Sequence, residues 1–416
     1  MNETEKPNTL SGGPFKDLKV AIVHDWLPLY GGAERVLEQM LHVCPQADIY
    51  SMIDSLPEND RFILQGKTVA TSFIQKLPFA KKKYRSYLPL MPLAVEQFDL
   101  SRYDIIISNS YAVAKGVITG PDQLHICFCQ SPMRYAWDLQ HEYLTEVGLT
   151  RGLKSWFARA LLHYLRIWDS RTSEGVDYFI ANSHYIGRRI RKVYGRSSAV
   201  IYPPVNTDVF TPIAKKEDYY VTASRFVPYK KIRLVVEAFA RMPARTLHVL
   251  GSGPSWKEIA AKAGANVKML GYQDSLAMIS QLQKAKAFVY AAQEDFGILP
   301  VEAQACGTPV IAYGRGGATE TVVNGTTGIL FPSQTVEGIC WGVDQFERHT
   351  FDSAVIRANA ERFSIERFRR NFAGFVEGAW ERFAARREAP QAELMTNANA
   401  LNSSDPKTDY SKLEAD

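Results

Sequence analysis

The chain has 416 residues, of which 46% are hydrophobic and 22% charged. At about 150 residues per domain this makes two or three domains of ordinary globular composition, which excludes a disordered chain, a collagen-like fibre and an all-coiled-coil protein. A formal charge of +5 is mild for this length and does not by itself argue for nucleic-acid binding.

Residues 1–17 (MNETEKPNTLSGGPFKD) are polar and lack the apolar stretch of a cleaved signal peptide, so a loose leader is expected there. Lys19–His24 (KVAIVH) reads as a buried strand running into a loop. Gly31-Gly32 then opens a helix with Val36, Leu37, Met40 and Leu41 on one face. Asp104–Ser108 (DIIIS), Leu124–Phe128 (LHICF) and Tyr178–Ala181 (YFIA) follow as strands. Their apolar runs without polar alternation fit a parallel sheet covered on both faces. Two basic, aromatic stretches lie among them. Lys81–Leu88 (KKKYRSYL) suits an anionic bilayer surface. The aromatic face of Arg151–Arg171, with Trp156, Phe157, Tyr164 and Trp168, is expected in the core.

Beyond a joint at Tyr202-Pro203-Pro204 a second series begins. Tyr219–Ser224, Leu247–Leu250, Val267–Leu270, Ala287–Tyr290 and Val310–Ala312 read as short strands, with helices such as Leu234–Arg241 and Pro300–Cys306 between them. Strand–helix alternation on both sides of the joint predicts two doubly wound α/β domains, residues 18–203 and 204–364. Ile365–Phe383, inside a final helical segment 365–387, spaces Phe368, Phe372, Phe375, Val376 and Trp380 so that it needs a partner surface. Residues 388–416 hold six acidic and two basic side chains. They are expected as a disordered acidic tail of net charge −4, which leaves +9 on the rest. No apolar run approaches the roughly 18 residues of a spanning helix, so membrane contact would be superficial. Cys44, Cys127, Cys129, Cys306 and Cys340 show no CxxC spacing, which argues against zinc and fits reduced thiols in a cytoplasmic protein.

Three segments carry chemistry. Gly31-Gly32-Ala33-Glu34-Arg35 lies between a strand and a helix, where backbone can approach an anion at the helix N-terminus. It is neither a GxGxxG fingerprint nor a Walker loop. In Ser224–Lys231 (SRFVPYKK), Arg225 and Lys230 can converge across a turn on a diphosphate, one as a fork and one as a point charge. In Glu294–Glu302 (EDFGILPVE), two acids flank Gly297 and a helix start at Pro300. Loop amides there could bind phosphate, and Glu302, on the first helical turn, could accept from vicinal hydroxyls such as those of ribose. Gly316–Glu320 looks like one more anion-tolerant loop. Each motif has an ordinary alternative as a turn, a solvated loop or a capped helix. Together they sit at strand carboxyl ends in both halves, where open α/β sheets bind ligands.

GGAERV, SRFVPYKK, EDFGILPVEAQACGTPVIA and GGATETV together resemble the retaining glycosyltransferases of family 4, with the GT-B fold. The E-x7-E element, Glu294 to Glu302, is the most specific mark, and the likeness runs from about Lys19 to Phe383. PMRYAWD (Pro132–Asp138), AVAKGV (Ala112–Val117) and IANS (Ile180–Ser183) resemble the branch that assembles O-antigen and exopolysaccharide, many of whose members use GDP-mannose. The resemblance implies two domains facing a cleft and a C-terminal helix that crosses back to the first. It implies that Arg225 and Lys230 hold the donor diphosphate and that Gly31 and Gly32 approach its distal phosphate or sugar. Glu302 would bind ribose, and Glu294 the donor sugar, with backbone amides of Phe296, Gly297, Ile298 and Leu299 assisting. No metal or cofactor is implied, and no DxD motif is present.

The chain departs from the family at Gln130, where a His close to the reacting sugar is usual. Gln130 can donate and accept hydrogen bonds but carries no proton. Tyr111 also stands where the branch often has His. His24 and Asp25 remain as polar groups at the end of the first strand, and His24 and His125 read as structural. The expected partners are a nucleoside-diphosphate sugar, GDP-mannose favoured, a glycan acceptor on polyprenyl diphosphate and an anionic membrane surface on the inner face of the plasma membrane. Nucleic acid is not expected, since no RNP or KH signature accompanies the basic residues. Two rival readings share these residues. One is a sugar-nucleotide epimerase, which needs a proton-transfer group that Gln130 does not supply. The other is a non-catalytic, nucleotide-sugar-binding subunit of a polysaccharide assembly complex.

Overall fold

The computed structural model describes residues 17–403; the expected leader, except Asp17, and residues 404–416 lie outside them. Two all-parallel sheets account for thirteen strands. The first holds β1 (Val20–His24), β2 (Asp48–Ser51), β3 (Val69–Thr71), β4 (Ile105–Ser110), β5 (Leu124–Cys129), β6 (Tyr178–Ala181) and β7 (Ser198–Val200), in the order β3-β2-β1-β4-β5-β6-β7. The second holds β8 (Tyr220–Ala223), β9 (Leu247–Leu250), β10 (Val267–Gly271), β11 (Ala287–Tyr290), β12 (Val310–Tyr313) and β13 (Gly328–Phe331), in the order β10-β9-β8-β11-β12-β13.

Apolar side chains of the central strands alternate between cores on opposite faces of their sheet. Val20 and Ile22 enter one core of the first domain, Ala21 and Val23 the other. In the second domain Val221 and Phe288 enter one, Tyr220 and Val289 the other. This is the doubly wound arrangement that the apolar runs predicted. The short strands β2, β3, β7 and β13 went unread. The first three are only partly buried, so their sequences lack the apolar signature of the central strands.

Six helices matter below: α1 (Gly32–Val43), α2 (Leu153–Thr172), α3 (His184–Tyr194), α4 (Ile232–Ala240), α5 (Ile298–Ala305) and α6 (Ile365–Ser403). α5 starts two residues before the expected Pro300, which sits in its first turn, where no amide hydrogen is required. Glu302 is therefore on the second turn. α6 crosses back and buries Phe368, Phe372 and Val376 in the first domain's core with Val36, Leu37 and Met40 of α1. It runs past the expected boundary at 387 to Ser403. Residues 388–403 are rich in Ala and also hold Glu, Leu and Met, helix formers that a charge count overlooks. The chain crosses between domains twice, side by side: Val205 N donates to Phe363 O at 2.9 Å.

The aromatic segment 151–171 departs from its expected core role. α2 buries Leu162, Leu165 and Trp168, but Trp156 and Phe157 are 63% and 64% exposed. The helix is long enough to carry apolar residues on two faces, and only one meets the domain.

Candidate functional site

Strand order reverses between β1 and β4 in the first sheet and between β8 and β11 in the second. A crevice opens at such a point beyond the strand carboxyl ends. The loops leaving these four strands contain the sequence-selected residues: Gly31 and Gly32 after β1, Tyr111 after β4, Arg225 and Lys230 after β8, and Glu294–Leu299 after β11. The topology thus gathers both halves' motifs without any single motif requiring it.

On the second domain, the Lys230 ammonium forms an ion pair with Glu294, and each side chain is less than one-fifth exposed. Burial and the charge of Arg134 pull the Lys230 pKa down to about 8, while Asp295 opposes them. Lys231, which caps α4, takes a left-handed backbone with φ +56°, an uncommon conformation for a residue with a Cβ. Arg225 is exposed at the rim. Burial raises the Tyr84 phenol, Arg85 opposes that shift and Glu34 adds to it, and the charge of Arg225 also acts against it from the second domain. The Arg225 loop rests on Gly251, with φ +125°, where a Cβ would lie 1.8 Å from Ser224 O. Phe226 N donates to Ser252 O at 2.8 Å. The signal for this support was Gly251-Ser252-Gly253-Pro254 directly after a strand, and sequence reading passed over it.

Gly297, at φ +89°, turns the chain into α5. The first amides of α5 have no carbonyl one turn earlier to accept them. Phe296 is buried against Tyr202 and Phe363, at ring distances of 5.7 and 5.4 Å, so only its backbone can serve a ligand. Across the crevice, a Cβ at Gly32 would lie 3.2 Å from Ile298 Cδ1. Gly31 N donates to Glu34 Oε2 at 3.0 Å, drawing that acid back onto the loop. Glu302 is 1% exposed and accepts from Arg35 Nη1 of α1 at 2.5 Å. Both acids of the E-x7-E element therefore hold a cation, one from each domain.

Gln130 is fixed at both ends of its amide. Its Nε2 donates to Asn109 Oδ1 at 2.9 Å, and Asn182 Nδ2 donates to its Oε1 at 3.2 Å. Asn109 also reaches His24 Nδ1 at 3.1 Å, and His24 Nε2 lies 3.4 Å from Glu34 Oε1. Ser183, next to Asn182, donates to Asp295 O at 2.6 Å. A chain of polar contacts thus runs from the Gly31 loop through Gln130 to the second domain. Asp25 accepts four amides, from Tyr111 to Ala114, at 2.6–2.9 Å, and so shapes the loop after β4. His125 is buried, its pKa pushed down to about 4, and it bonds Ser108 at 2.9 Å.

Several interdomain residues escaped sequence reading. Arg134, inside PMRYAWD, pairs with Asp295 at 2.9 Å, and Arg189 lies 3.5 Å from the same acid. Glu320 accepts the His184 and Tyr185 amides, each at 2.8 Å, so a second-domain carboxylate caps α3 of the first. Gly316 and Gly317 support the site loop rather than stand open to an anion: Gly317 N donates to Glu294 O at 2.8 Å. Charged residues within short Gly- and aromatic-rich motifs were the available signal. Among the described residues no three His, Cys, Asp or Glu side chains gather as a metal site, and no helix is long and apolar enough to cross a membrane.

Residues 30–209 match the model described as Glycosyltransferase Family 4, and residues 206–363 match Glycosyl transferases group 1. A GDP-mannose-dependent monoacylated alpha-(1-6)-phosphatidylinositol monomannoside mannosyltransferase from Corynebacterium glutamicum is 33% identical over 194 residues, covering 39% of this chain and 50% of that protein. A D-inositol 3-phosphate glycosyltransferase from Kribbella flavida is 30% identical over 203 residues, covering 41% and 48%. The chain spans about half the length of the curated relatives it matches. In solved structures, HepE from Anabaena, in complex with UDP and glucose, superposes with a TM-score of 0.63 at 18% identity, covering 86% of this chain and 99% of that one. The lipopolysaccharide outer core galactosyltransferase WaaB superposes with a TM-score of 0.59 at 18% identity, covering 86% and 100%.

Proposed function

Because the chain belongs to the GT-B glycosyltransferases of family 4, we propose that it moves a hexose from a nucleoside-diphosphate sugar to a glycan acceptor. The observation that carries this reading is the meeting of Lys230 with Glu294 beside the N-terminus of α5, at the point where strand order reverses. Cleaving the sugar–phosphate bond builds positive charge on the sugar carbon and negative charge on the leaving diphosphate. Lys230, Arg225 and the α5 amides are suited to that anion, and such preorganised charge is usually the largest catalytic effect. Glu294 contacts the sugar, and Glu302 receives the ribose hydroxyls once Arg35 releases it. Gly31 and Gly32 let backbone approach the distal phosphate.

Transfer retains configuration. The acceptor oxygen attacks on the face the phosphate leaves, the carbon–phosphate-oxygen bond breaks, and the acceptor proton passes to the leaving phosphate. The chemistry proceeds without a metal. Gln130 takes no proton and holds the reacting sugar by hydrogen bonds. The mannosyltransferase among the relatives favours GDP-mannose as donor. The acceptor is a glycan on a polyprenyl diphosphate, in lipopolysaccharide or exopolysaccharide assembly at the cytoplasmic face.

A thermal-shift screen of GDP, UDP and ADP sugars tests the donor, since a ligand bound only by the native state raises the melting temperature. GDP-mannose should give the largest rise. A larger rise with a UDP sugar reassigns the donor, and no rise with any of them removes the transferase reading.

A further inference from the structure

We propose that α2 and the segment Phe73–Leu93 form one docking face for a bilayer bearing anionic headgroups. α2 has a second apolar stripe that the domain does not cover. Leu153, Trp156, Phe157, Tyr164 and Ile167 are 79%, 63%, 64%, 48% and 57% exposed. Leu153, Phe157 and Tyr164 are four and seven residues apart, and Trp156 and Ile167 stand three residues after Leu153 and Tyr164, so they line one side of a helix about 30 Å long at ~1.5 Å per residue. Trp156 and Phe157 pack edge to face at 5.0 Å, which holds two large rings together at the surface.

The exposed charge on the helix itself is of one sign. Five basic residues and a single acid lie between Arg151 and Arg171. That acid, Asp169, is buried 2.8 Å from Lys115 and adds nothing to the surface. The segment from Phe73 to Val95 has five basic residues and no acid. It exposes Phe79 and Leu93, 74% and 52%, close in sequence to the exposed Lys81–Lys83.

Both elements pack on the same core of the first domain, which also contains Tyr84, and Trp168 Nε1 bonds Glu96 Oε1 at 2.7 Å. The two patches therefore cover one face of the first sheet. Tyr111, in the loop after β4, borders that core too, so the face lies beside the crevice.

A bilayer satisfies both features at once, taking the apolar stripe into the acyl boundary while headgroups meet the lysines and arginines. A second copy of the chain would bring like charge against like charge. A nucleic acid would leave Leu153, Ile167 and Leu93 in water.

The test is co-sedimentation of the full chain with phosphatidylcholine vesicles, with and without phosphatidylglycerol. Strong binding is expected only with the anionic lipid, and it should weaken at high salt. Trp156→Glu with Phe157→Glu should weaken it at least tenfold, as should alanine at Lys81, Lys82 and Lys83. Melting temperatures near wild type would show that the fold survives these exposed substitutions. Absence of binding overturns the proposal. So does unchanged binding by the Trp156/Phe157 variant, or self-association that this variant abolishes while vesicles are ignored. Vesicle binding needs no nucleotide, so its failure leaves the donor site untouched, and failure of the donor screen leaves this surface standing.

Discussion

Lys230 and Glu294 make a pair whose two halves would be poorly placed alone. Removing the carboxylate leaves an ammonium that burial and Arg134 already push toward deprotonation, to about pH 8. A diphosphate is bound by the protonated form. In wild type the affinity for GDP, measured by calorimetry, should therefore fall as pH rises through about 8, and in Glu294→Gln that fall should move to lower pH. Identical pH profiles would mean that Glu294 does not hold the charge on Lys230. Arg35 and Glu302 present the complementary case. The pair ties one domain to the other, and the ribose contact proposed for Glu302 requires it to open. Arg35→Ala should bind GDP more tightly, by up to about tenfold, the equivalent of ~1.4 kcal/mol. Weaker binding would instead show that Arg35 touches the donor. Glu294 and Glu302 were legible in the sequence because they flank Gly297 at a fixed spacing, and Arg225 and Lys230 because they stand on either side of a turn that follows an apolar strand. The partners of Glu302 and Asp295 were not, since Arg35 and Arg134 stand far from them in the chain, in the other domain.

At the scale of elements, an apolar run such as Ala287–Tyr290 revealed its strand to the residue, because a strand buried on both faces has no polar position to blur it. Val69–Thr71 and Ser198–Val200 gave no such signal, being short and half in solvent. α6 was legible through its phenylalanines, but α2 was misread because its two apolar faces look alike in sequence and only packing separates them. Phe372 is fully buried between α6 and the first domain. Phe372→Ala should cost about 3–5 kcal/mol through lost burial and the cavity left behind. Thermal unfolding should show a large drop in the first domain's transition. A shift of a degree or two would mean that α6 contributes little to that core.

At the scale of the whole molecule, the two domains meet through charged contacts that a ligand can exchange. Arg35 with Glu302, Arg134 with Asp295 and the Glu320 cap on α3 join the two domains beyond the paired crossings near Val205 and Phe363. The alternation of strands and helices made two such domains legible. Their closure was not, because no local pattern encodes which face of one domain meets the other. Donor binding should convert these contacts into contacts with the nucleotide, so that hinge closure completes the site. The most direct measurement is a calorimetric titration of GDP into wild type and into Lys230→Ala. If the second domain grips a nucleoside diphosphate through its lysine, wild type binds and the variant loses at least about 100-fold, or ~2.7 kcal/mol, with an unchanged melting temperature. Equal affinities in the two proteins would contradict that role for the crevice.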